Sequence, residues 1–295
     1  MDFVSNRPCE LSFEFFPPRT PEGRASLSAA WHQLADLEPS FFSCTYGAGG
    51  STRDRTLGTV LAIQSAGYRA APHIACLGLN RADIANMLEL YRDNGIDHLV
   101  ALRGDLVAGV ASAGDLRYAN ELVAFVRETT GTHFRIQVAC YPEFHPQACS
   151  PQDDLLNFKR KAEAGADSAI TQYFFNIDAY LRFVDDCDAL GIHLPIVPGI
   201  MPIGNFAQLA RFSDTCGAEI PRWLRLKMQS FGDDLASIRS LGLDVVTELC
   251  DRLLSEGAPG LHFYTMNEAG LAMTICQRLG IGRPCLPLAS QMVPA

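Results

Sequence analysis

Short runs of apolar, β-branched and aromatic residues recur along the chain, and amphipathic segments separate them. The predicted strands are Leu11–Phe16, Phe41–Tyr46, Ala70–Cys76, His98–Arg103, Arg135–Tyr141, Ser168–Phe174, Pro195–Ile200 and Leu261–Tyr264. The first seven begin at intervals of roughly 30 residues, which is typical of a strand followed by a helix. Eight such units predict a closed (β/α)8 TIM barrel, an α/β fold, in preference to an open sheet.

Helix start and stop signals lie between these strands. Asn80 precedes one helical run and Gly95 ends it, while Ser150-Pro151 opens another that ends near Gly165. The interval before the last strand is longer, about 65 residues, and predicts two helices with Leu226–Asp234 between them. No low-complexity or linker segment divides the chain, so we expect one domain over 1–295, with a core of about 10–283 and an irregular tail at 284–295.

Composition narrows the class of protein. The net charge of −9 argues against nucleic-acid or anionic-membrane surfaces, although a local pocket can still bind an anion. The ten cysteines show no C-x-x-C spacing, and Cys44, Cys76, Cys140 and Cys276 lie in apolar runs, so we expect reduced core residues and no metal site. With no signal-peptide pattern and no long apolar run, a cytoplasmic location and no membrane span are expected.

Polar and aromatic side chains follow the predicted strands, where a barrel of this class carries its active site. They are Glu14, Thr45, Tyr46, Gly47, His73, Arg103, Gly104, Asp105, Tyr141, Glu143, His145, Gln172, Phe174, Phe175, Pro198–Pro202 and Tyr264–Asn267. Any single one is compatible with an ordinary rim residue. All eight strand ends together favour a site at the barrel mouth.

Glu14 is the leading candidate for chemistry. Alternation places Ser12, Glu14 and Phe16 on one face of the first strand, and Phe13 and Phe15 on the face that packs on helices. Glu14 then points inward among aromatic neighbours, which raise a carboxyl pKa by desolvation and suit a general acid. A structural carboxylate paired with an arginine is the alternative.

Two further segments are candidate ligand contacts. In Arg103-Gly104-Asp105, the arginine can bind an anion, the glycine permits close approach and the aspartate can accept paired donors; an internal ion pair is the alternative. Asp154, Asn157 and Lys161 share one helix face that suits a ribose and a phosphate, or is simply solvated. The glycine-rich loop 47–51 is neither a Walker nor a Rossmann motif.

Two reaction classes are disfavoured. A Schiff-base aldolase needs a lysine on a barrel strand, and the only lysines, Lys159, Lys161 and Lys227, lie on none of the predicted strands. A metal-dependent hydrolase needs clustered ligands, whereas the seven histidines are dispersed and none forms a His-x-His pair.

The motifs resemble, in order, those of one enzyme family. They are Phe13–Arg19, Thr45–Ala48, Ala71–His73, Leu102–Asp105, Tyr141–Pro146, Thr171–Phe175, Pro198–Pro202 and His262–Asn267. Over about residues 10–283 the chain is similar to methylenetetrahydrofolate reductases, in the short bacterial form without a regulatory domain.

The resemblance implies FAD at the strand ends, NADH or NADPH as reductant, ping-pong hydride transfer through flavin N5, and a homo-oligomer. It implies that Glu14 is the acid that opens the folate imidazolidine ring, that Asp105 lies near flavin and pterin, and that Gln172, Gln208 and Phe212 contact substrate. The implied FAD contacts are Thr45, Tyr46, Ala48, His73, Arg103, Gly104, Asp105, Tyr141, His145, Ala148, Asp154, Asn157, Arg160 and Lys161.

One position departs from the family pattern. Glu268 stands where the bacterial pattern carries an arginine that meets folate, so either another arginine substitutes or the substrate tail differs. Two other functions stay open: a flavin-independent reductase that passes hydride directly from NAD(P)H to folate, and a non-redox pterin-binding barrel such as a folate methyltransferase. A non-enzymatic binding role would leave a buried acid without a purpose.

Overall fold

The computed structural model describes residues 10–47, 52–104 and 114–282. Its strands are β1 (Glu10–Phe15), β2 (Phe41–Cys44), β3 (Ala70–Ala75), β4 (His98–Leu102), β5 (Arg135–Cys140), β6 (Ser168–Thr171), β7 (Ile196–Val197), β8 (Gly199–Ile200) and β9 (Gly260–Tyr264). Its helices are α1 (Pro21–Ala35), α2 (Arg53–Ser65), α3 (Arg81–Asp93), α4 (Ala119–Thr130), α5 (Pro151–Glu163), α6 (Ile177–Ala189), α7 (Phe206–Cys216), α8 (Arg222–Ser230), α9 (Leu235–Ser255) and α10 (Gly270–Arg278).

All strand pairs are parallel, in the order β7-β6-β5-β4-β3-β2-β1-β9-β8. β7 and β8 are two halves of one strand, because Pro198 has no N–H to continue the ladder. The first half pairs with β6 and the second with β9, and the Pro198 carbonyl still accepts from His262 N at 3.0 Å. The sheet is therefore a barrel that closes across Pro198, and the predicted (β/α)8 fold is confirmed.

The two faces of β1 separate as the alternation predicted. Phe13 and Phe15 are fully buried on the helix side, where the Phe13 ring lies 6.0 Å from that of Phe42 and 5.6 Å from that of Phe263. On the inner face, a small apolar cluster closes the barrel below the mouth: Phe41, Ala71, Val100 and Ile170. Glu14 therefore sits above an apolar floor and faces the carboxyl end of the barrel.

Several predicted bounds were wrong. β2 ends at Cys44 and β6 at Thr171, although Thr45 N still donates to Phe15 O at 2.9 Å and Gln172 N to Cys140 O at 2.8 Å. Pro195–Ile200 is broken at its proline. The long interval before the last strand holds three helices, because part of the supposed connection belongs to α8, where Leu224 and Met228 are spaced four apart and both buried.

Cys44, Cys76, Cys140 and Cys276 are buried, as predicted. In the described ranges, no helix combines the length and apolar character needed to cross a membrane. The expected irregular tail at 284–295 lies outside the described residues, and the domain bounds of 1–295 stay a prediction.

Candidate active site

A cavity of about 370 Å³ opens at the carboxyl ends of the strands. It brings together six of the predicted catalytic, cofactor and substrate residues, from four barrel segments and one helix: Glu14, Thr45, Tyr46, His73, Gln172 and Phe212. The remaining wall is largely apolar: Phe16, Val100, Leu102, Ala139, Ile170, Tyr173, Met201, Thr215, Cys216, Tyr264, Thr265 and Met266. The cavity suits a flat, mainly apolar ring system with a few fixed polar contacts.

Glu14 lies between two imidazoles at the base of this cavity. Its Oε2 atom is 3.2 Å from His73 Nε2 and 3.6 Å from His262 Nε2. The exposed fractions of the three side chains are 13% for Glu14, 8% for His73 and 0% for His262. Neither ring nitrogen reaches the carboxylate with the direction of a good hydrogen bond. Among the described residues Glu14 has no arginine partner. The alternative of a structural carboxylate paired with an arginine is therefore wrong.

The predicted direction of the Glu14 pKa is also wrong for the ligand-free protein. Burial raises the pKa, as the sequence argument expected, but the charge of His73 and the polar contacts of His262 and His73 outweigh it. The net effect lowers the pKa of Glu14 to about 2. Both histidines come from other strands, so their effect on the Glu14 pKa is not visible from the residues next to Glu14 in sequence. At neutral pH the carboxyl is ionised until something else changes its surroundings.

Ser12 and His262 are site residues that the sequence argument missed. They are direct partners across the parallel β1–β9 ladder, and Ser12 Oγ lies 2.7 Å from His262 Nδ1. Both point inward with Glu14, because residues two apart on a strand share a face. Alternation along β9 places His262 on the same face as Tyr264, which the sequence already shows. That His262 meets Glu14 can be predicted only once β1 and β9 are known to be neighbours.

The turn after β9 holds the end of β1 in place. Thr265 Oγ1 donates to the Glu14 carbonyl at 2.7 Å. Asn267 accepts from Phe16 N at 2.7 Å and donates to Phe16 O at 3.0 Å. Met266 and Asn267 both take positive φ angles, 55° and 63°, to make this turn. Side chains of the last barrel unit therefore fix the backbone at Glu14 and just after it.

The start of α5 forms a second polar cluster beside the cavity. Ser150 caps the helix by accepting from Asp153 N at 3.1 Å, and Asp154 Oδ2 accepts from His145 N at 2.8 Å. Two turns further on, the Lys161 ammonium donates to the carbonyl of Ala139, a residue of the cavity wall. Burial lowers the pKa of Lys161, and among the described residues no carboxylate lies within ion-pair distance of it.

The remaining predicted contacts join this cluster. Arg103 donates to the Gln147 side chain, and Gln147 N in turn donates to His145 Nδ1 at 3.0 Å. The rings of Tyr141 and His145 meet edge to face at 4.7 Å. Of four other predicted contacts, Ala148 N donates to His145 O, Arg160 donates to Asn157, and Gly104 takes a φ of 84° after β4. Ala48 and Asp105 lie outside the described residues.

A smaller pocket of about 180 Å³ adjoins the cavity beyond Phe212. It contains Gln208, and it also contains both Glu268 and Arg239. In the described part of the chain neither of these charged groups forms an ion pair. The acidic residue that departs from the family pattern therefore shares its pocket with an arginine from α9.

Comparison with known proteins decides the family. The family model for methylenetetrahydrofolate reductase matches residues 2–280. This chain belongs to the methylenetetrahydrofolate reductase family. It is 43% identical to the 5,10-methylenetetrahydrofolate reductase of Salmonella typhimurium over 277 residues, which are 94% of this chain and 92% of that enzyme. The Escherichia coli enzyme matches at the same identity and coverage.

More distant relatives agree with the fold. The chain is 38% identical to methylenetetrahydrofolate reductase (NADH) 1 of Arabidopsis thaliana, but it spans only 48% of that longer protein. A solved structure from Clostridium thermocellum, a protein that binds two copies of 5-methyl-5,6,7,8-tetrahydrofolic acid, superposes with a TM-score of 0.67 at 17% identity. It covers 92% of this chain, and at that identity it supports the barrel alone.

Proposed function

We propose that this family member reduces 5,10-methylenetetrahydrofolate to 5-methyltetrahydrofolate, with FAD as cofactor and NADH or NADPH as reductant. The observation that carries the proposal is the inward-facing Glu14 at the base of an apolar cavity, in a chain whose family is named for this reaction. The bound FAD supplies the acceptance and return of hydride between the two substrates. Both substrates then use the same cavity in turn.

The residues present fit FAD. Around the cavity, the Tyr46 hydroxyl and His73 Nε2 are buried without hydrogen-bond partners, as expected of groups that a ligand satisfies. A Cβ on Gly104 would lie 2.8 Å from the Cβ of Ala75, so this close approach requires glycine. Lys161 supplies a cation that has no carboxylate within ion-pair distance in the described ranges, which suits a phosphate. We propose the FAD contacts as Thr45, Tyr46, Ala48, His73, Arg103, Gly104, Asp105, Tyr141, His145, Ala148, Asp154, Asn157, Arg160 and Lys161.

Glu14 is proposed to protonate folate N10 as the imidazolidine ring opens. The bond from N10 to the methylene carbon breaks, N10 takes the proton, and the carbon becomes an electrophile that accepts hydride. A folate that fills the cavity removes water from around the carboxyl, which raises its pKa and favours the protonated form. Asp105, Gln172, Gln208 and Phe212 are proposed to orient the folate.

Two other functions predict different contacts. A flavin-independent reductase would have no use for the α5 cluster, whose half-buried Lys161 is held beside the cavity wall. A non-redox folate methyltransferase would bind folate without oxidising NADH. The α5 cluster supports the flavin-dependent reaction. A cytoplasmic location and a homo-oligomer are part of the proposal through the family resemblance alone.

The test separates the two half-reactions in a Glu14→Gln variant. Glutamine keeps the size and polarity of the side chain but cannot give up a proton to N10. We expect normal flavin content and normal anaerobic reduction by NADH, with folate reduction slowed by about 10² to 10⁴. Glu219→Gln, an exposed carboxyl away from the cavity, is the matched control and should change neither rate. Equal loss of both half-reactions would contradict the acid role.

A further inference from the structure

The hydroxyl of Tyr173 makes a buried contact that the proposed function does not use. The residue follows β6 directly after Gln172, its ring forms part of the cavity wall, and its side chain is almost fully buried. Its oxygen lies 3.1 Å from Ser213 Oγ and accepts from the thiol of Cys216 at 3.4 Å. Both partners belong to α7, so one hydroxyl joins the end of a barrel strand to the helix that carries Phe212.

The direction of these hydrogen bonds follows from the charge state of Tyr173. Burial raises the pKa of Tyr173, so its hydroxyl is protonated at neutral pH. The hydroxyl accepts from Cys216 and has one proton of its own to donate. That proton goes to the remaining partner, Ser213 Oγ. The contact therefore satisfies two buried oxygens at once, and neither can be removed without leaving the other unpaired.

The tyrosine end of this contact is fixed to the barrel. The ring centroid of Tyr173 lies 6.3 Å from that of Tyr264 and 6.0 Å from that of Phe175, both in edge-to-face arrangements. Tyr264 in turn donates from its own hydroxyl to Thr171 O at 2.8 Å and is the ladder partner of Glu14. The Tyr173 hydroxyl thus keeps its place relative to the strands that form the active site.

The second half of α7 has little apolar packing of its own. Within this helix, all of which the structure describes, the buried side chains are Phe206 and Leu209 in the first half and Ser213 in the second. Their spacing of three and four residues places them on one face. Apolar burial therefore holds the start of the helix, whereas its end is held at a serine, which stabilises the docking only through a hydrogen-bond partner.

Phe212 is the residue whose place depends most on this end of the helix. It precedes Ser213, is 38% exposed, and lines both the main cavity and the smaller pocket that contains Gln208. A ligand that extends from the main cavity into the smaller pocket passes this ring. Covering an exposed apolar ring adds to affinity in proportion to the area removed from water, so the place of Phe212 affects ligand binding.

We infer that Tyr173 is a positioning residue that fastens the last two turns of α7 to the end of β6, through Ser213 and Cys216, and thereby holds Phe212 against the bound folate. The inference rests on the proposed function, in which the folate ring system lies in the main cavity and its tail extends past Phe212. The flat nicotinamide ring needs the main cavity alone. The hydroxyl of Tyr173 acts through α7, since both of its polar partners belong to that helix.

The first test is the kinetics of Tyr173→Phe, which keeps the aromatic ring in the cavity wall and removes the hydroxyl. Ser213 is then buried without its donor, which favours a displaced helix end. We expect the KM for methylenetetrahydrofolate to rise by about fivefold or more. We expect kcat, FAD affinity and flavin reduction at saturating NADH to stay within about twofold of the wild type. An unchanged folate KM overturns the inference.

Tyr180→Phe is the matched control. The hydroxyl of Tyr180 is also buried and donates to Ile196 O at 2.8 Å, but this residue lies on α6 and does not line the cavity. Both variants lose one buried tyrosine hydroxyl, so we expect a similar loss of stability in urea unfolding. The folate KM of Tyr180→Phe should equal that of the wild type. If both variants raise this KM alike, the role of Tyr173 is a general structural one and the inference is overturned.

The double variant Tyr173→Phe/Ser213→Ala tests whether the two hydroxyls act as a pair. Each single variant leaves one buried oxygen unpaired, whereas the double variant removes both and restores a matched contact. We therefore expect a lower folate KM for the double variant than for either single variant. Effects of the two changes that multiply as if they were independent overturn the inference.

Amide hydrogen exchange of the flavin-loaded enzyme, without folate, keeps the inference apart from the proposed function. Tyr173→Phe should exchange faster than the wild type over residues 210–216 and at the same rate in α2. Equal exchange over 210–216 in the two proteins overturns the inference. A wild-type enzyme that fails to reduce methylenetetrahydrofolate would instead overturn the proposed function, whatever the exchange in α7.

Discussion

The charge of Glu14 should stabilise the fold as well as serve the reaction. In the folded protein its pKa is lowered from 4.5 to about 2, and each tenfold difference in proton affinity corresponds to about 1.4 kcal/mol. Relative to the unfolded chain, the folded protein therefore favours the ionised over the protonated carboxyl by about 3 kcal/mol. Glu14→Gln mimics the protonated form, so we expect it to lower the free energy of unfolding at pH 7 by about that amount.

The pH dependence of unfolding shows whether the Glu14 charge stabilises or destabilises the fold. Because the folded pKa lies below the unfolded value, the unfolded chain binds more protons between the two, and this stabilisation is present above pH 4.5 and is lost as pH falls toward 2. Urea unfolding of the flavin-free wild type and Glu14→Gln proteins should show their difference shrinking below pH 4.5, with Glu219→Gln as control. Equal or greater stability of Glu14→Gln at pH 7 would refute the reasoning, because it is the result expected if burial dominated and raised the pKa.

Three further predictions concern the residues around Glu14. Asn267→Ala removes two hydrogen bonds to the end of β1 and should cost about 1 to 3 kcal/mol in urea unfolding, with a slower folate half-reaction; unchanged values of both would contradict the clamp. Lys161→Met should weaken FAD binding to the apoprotein by about tenfold or more, as measured by flavin fluorescence, and unaltered affinity would exclude Lys161 from the site. Arg239→Gln should raise the KM for a folate with a glutamate tail severalfold, and Glu268→Arg should lower it, while NADH oxidation stays unchanged in both variants. A lower KM for Arg239→Gln and a higher one for Glu268→Arg would show that the tail does not bind in this pocket.

The hydrophobic pattern was sufficient for the architecture. Repeated strand and helix units predict a barrel because each unit buries one face against the next, and that information is local. The bounds that failed are those set by tertiary context. Pro198 interrupts a strand that the apolar run alone would continue, and Leu224 and Met228 belong to a helix so short that its periodicity was not recognised.

The candidate site was predictable in its members but not in its electrostatics. Strand ends identify Glu14, His73 and Gln172 as cavity residues, because the carboxyl ends of parallel strands meet at one rim. The sign of the Glu14 pKa depends on two imidazoles from β3 and β9, one of them 250 residues away from Ser12 in sequence. The aromatic residues next to Glu14 in sequence are enough to predict that burial raises its pKa. The pairing with His73 and His262 can be predicted only when the closed barrel is known.

The departure at position 268 shows the same limit. From the sequence alone, an acid where the family pattern has an arginine only raises the question of how the folate tail is bound. The structure brings Arg239 from α9 into the pocket that contains Glu268. These two residues are 29 positions apart, and only the packing of α9 against the last barrel unit makes them neighbours.

The central claim is that this cavity carries hydride from a nicotinamide to a folate through a bound flavin. The most direct measurement is the visible spectrum of the purified protein without oxygen, recorded before and after NADH and again after methylenetetrahydrofolate. We predict flavin absorbance that bleaches with NADH and returns with the folate. A protein with no flavin band even after added FAD, or a reduced flavin that methylenetetrahydrofolate does not reoxidise, would contradict the claim.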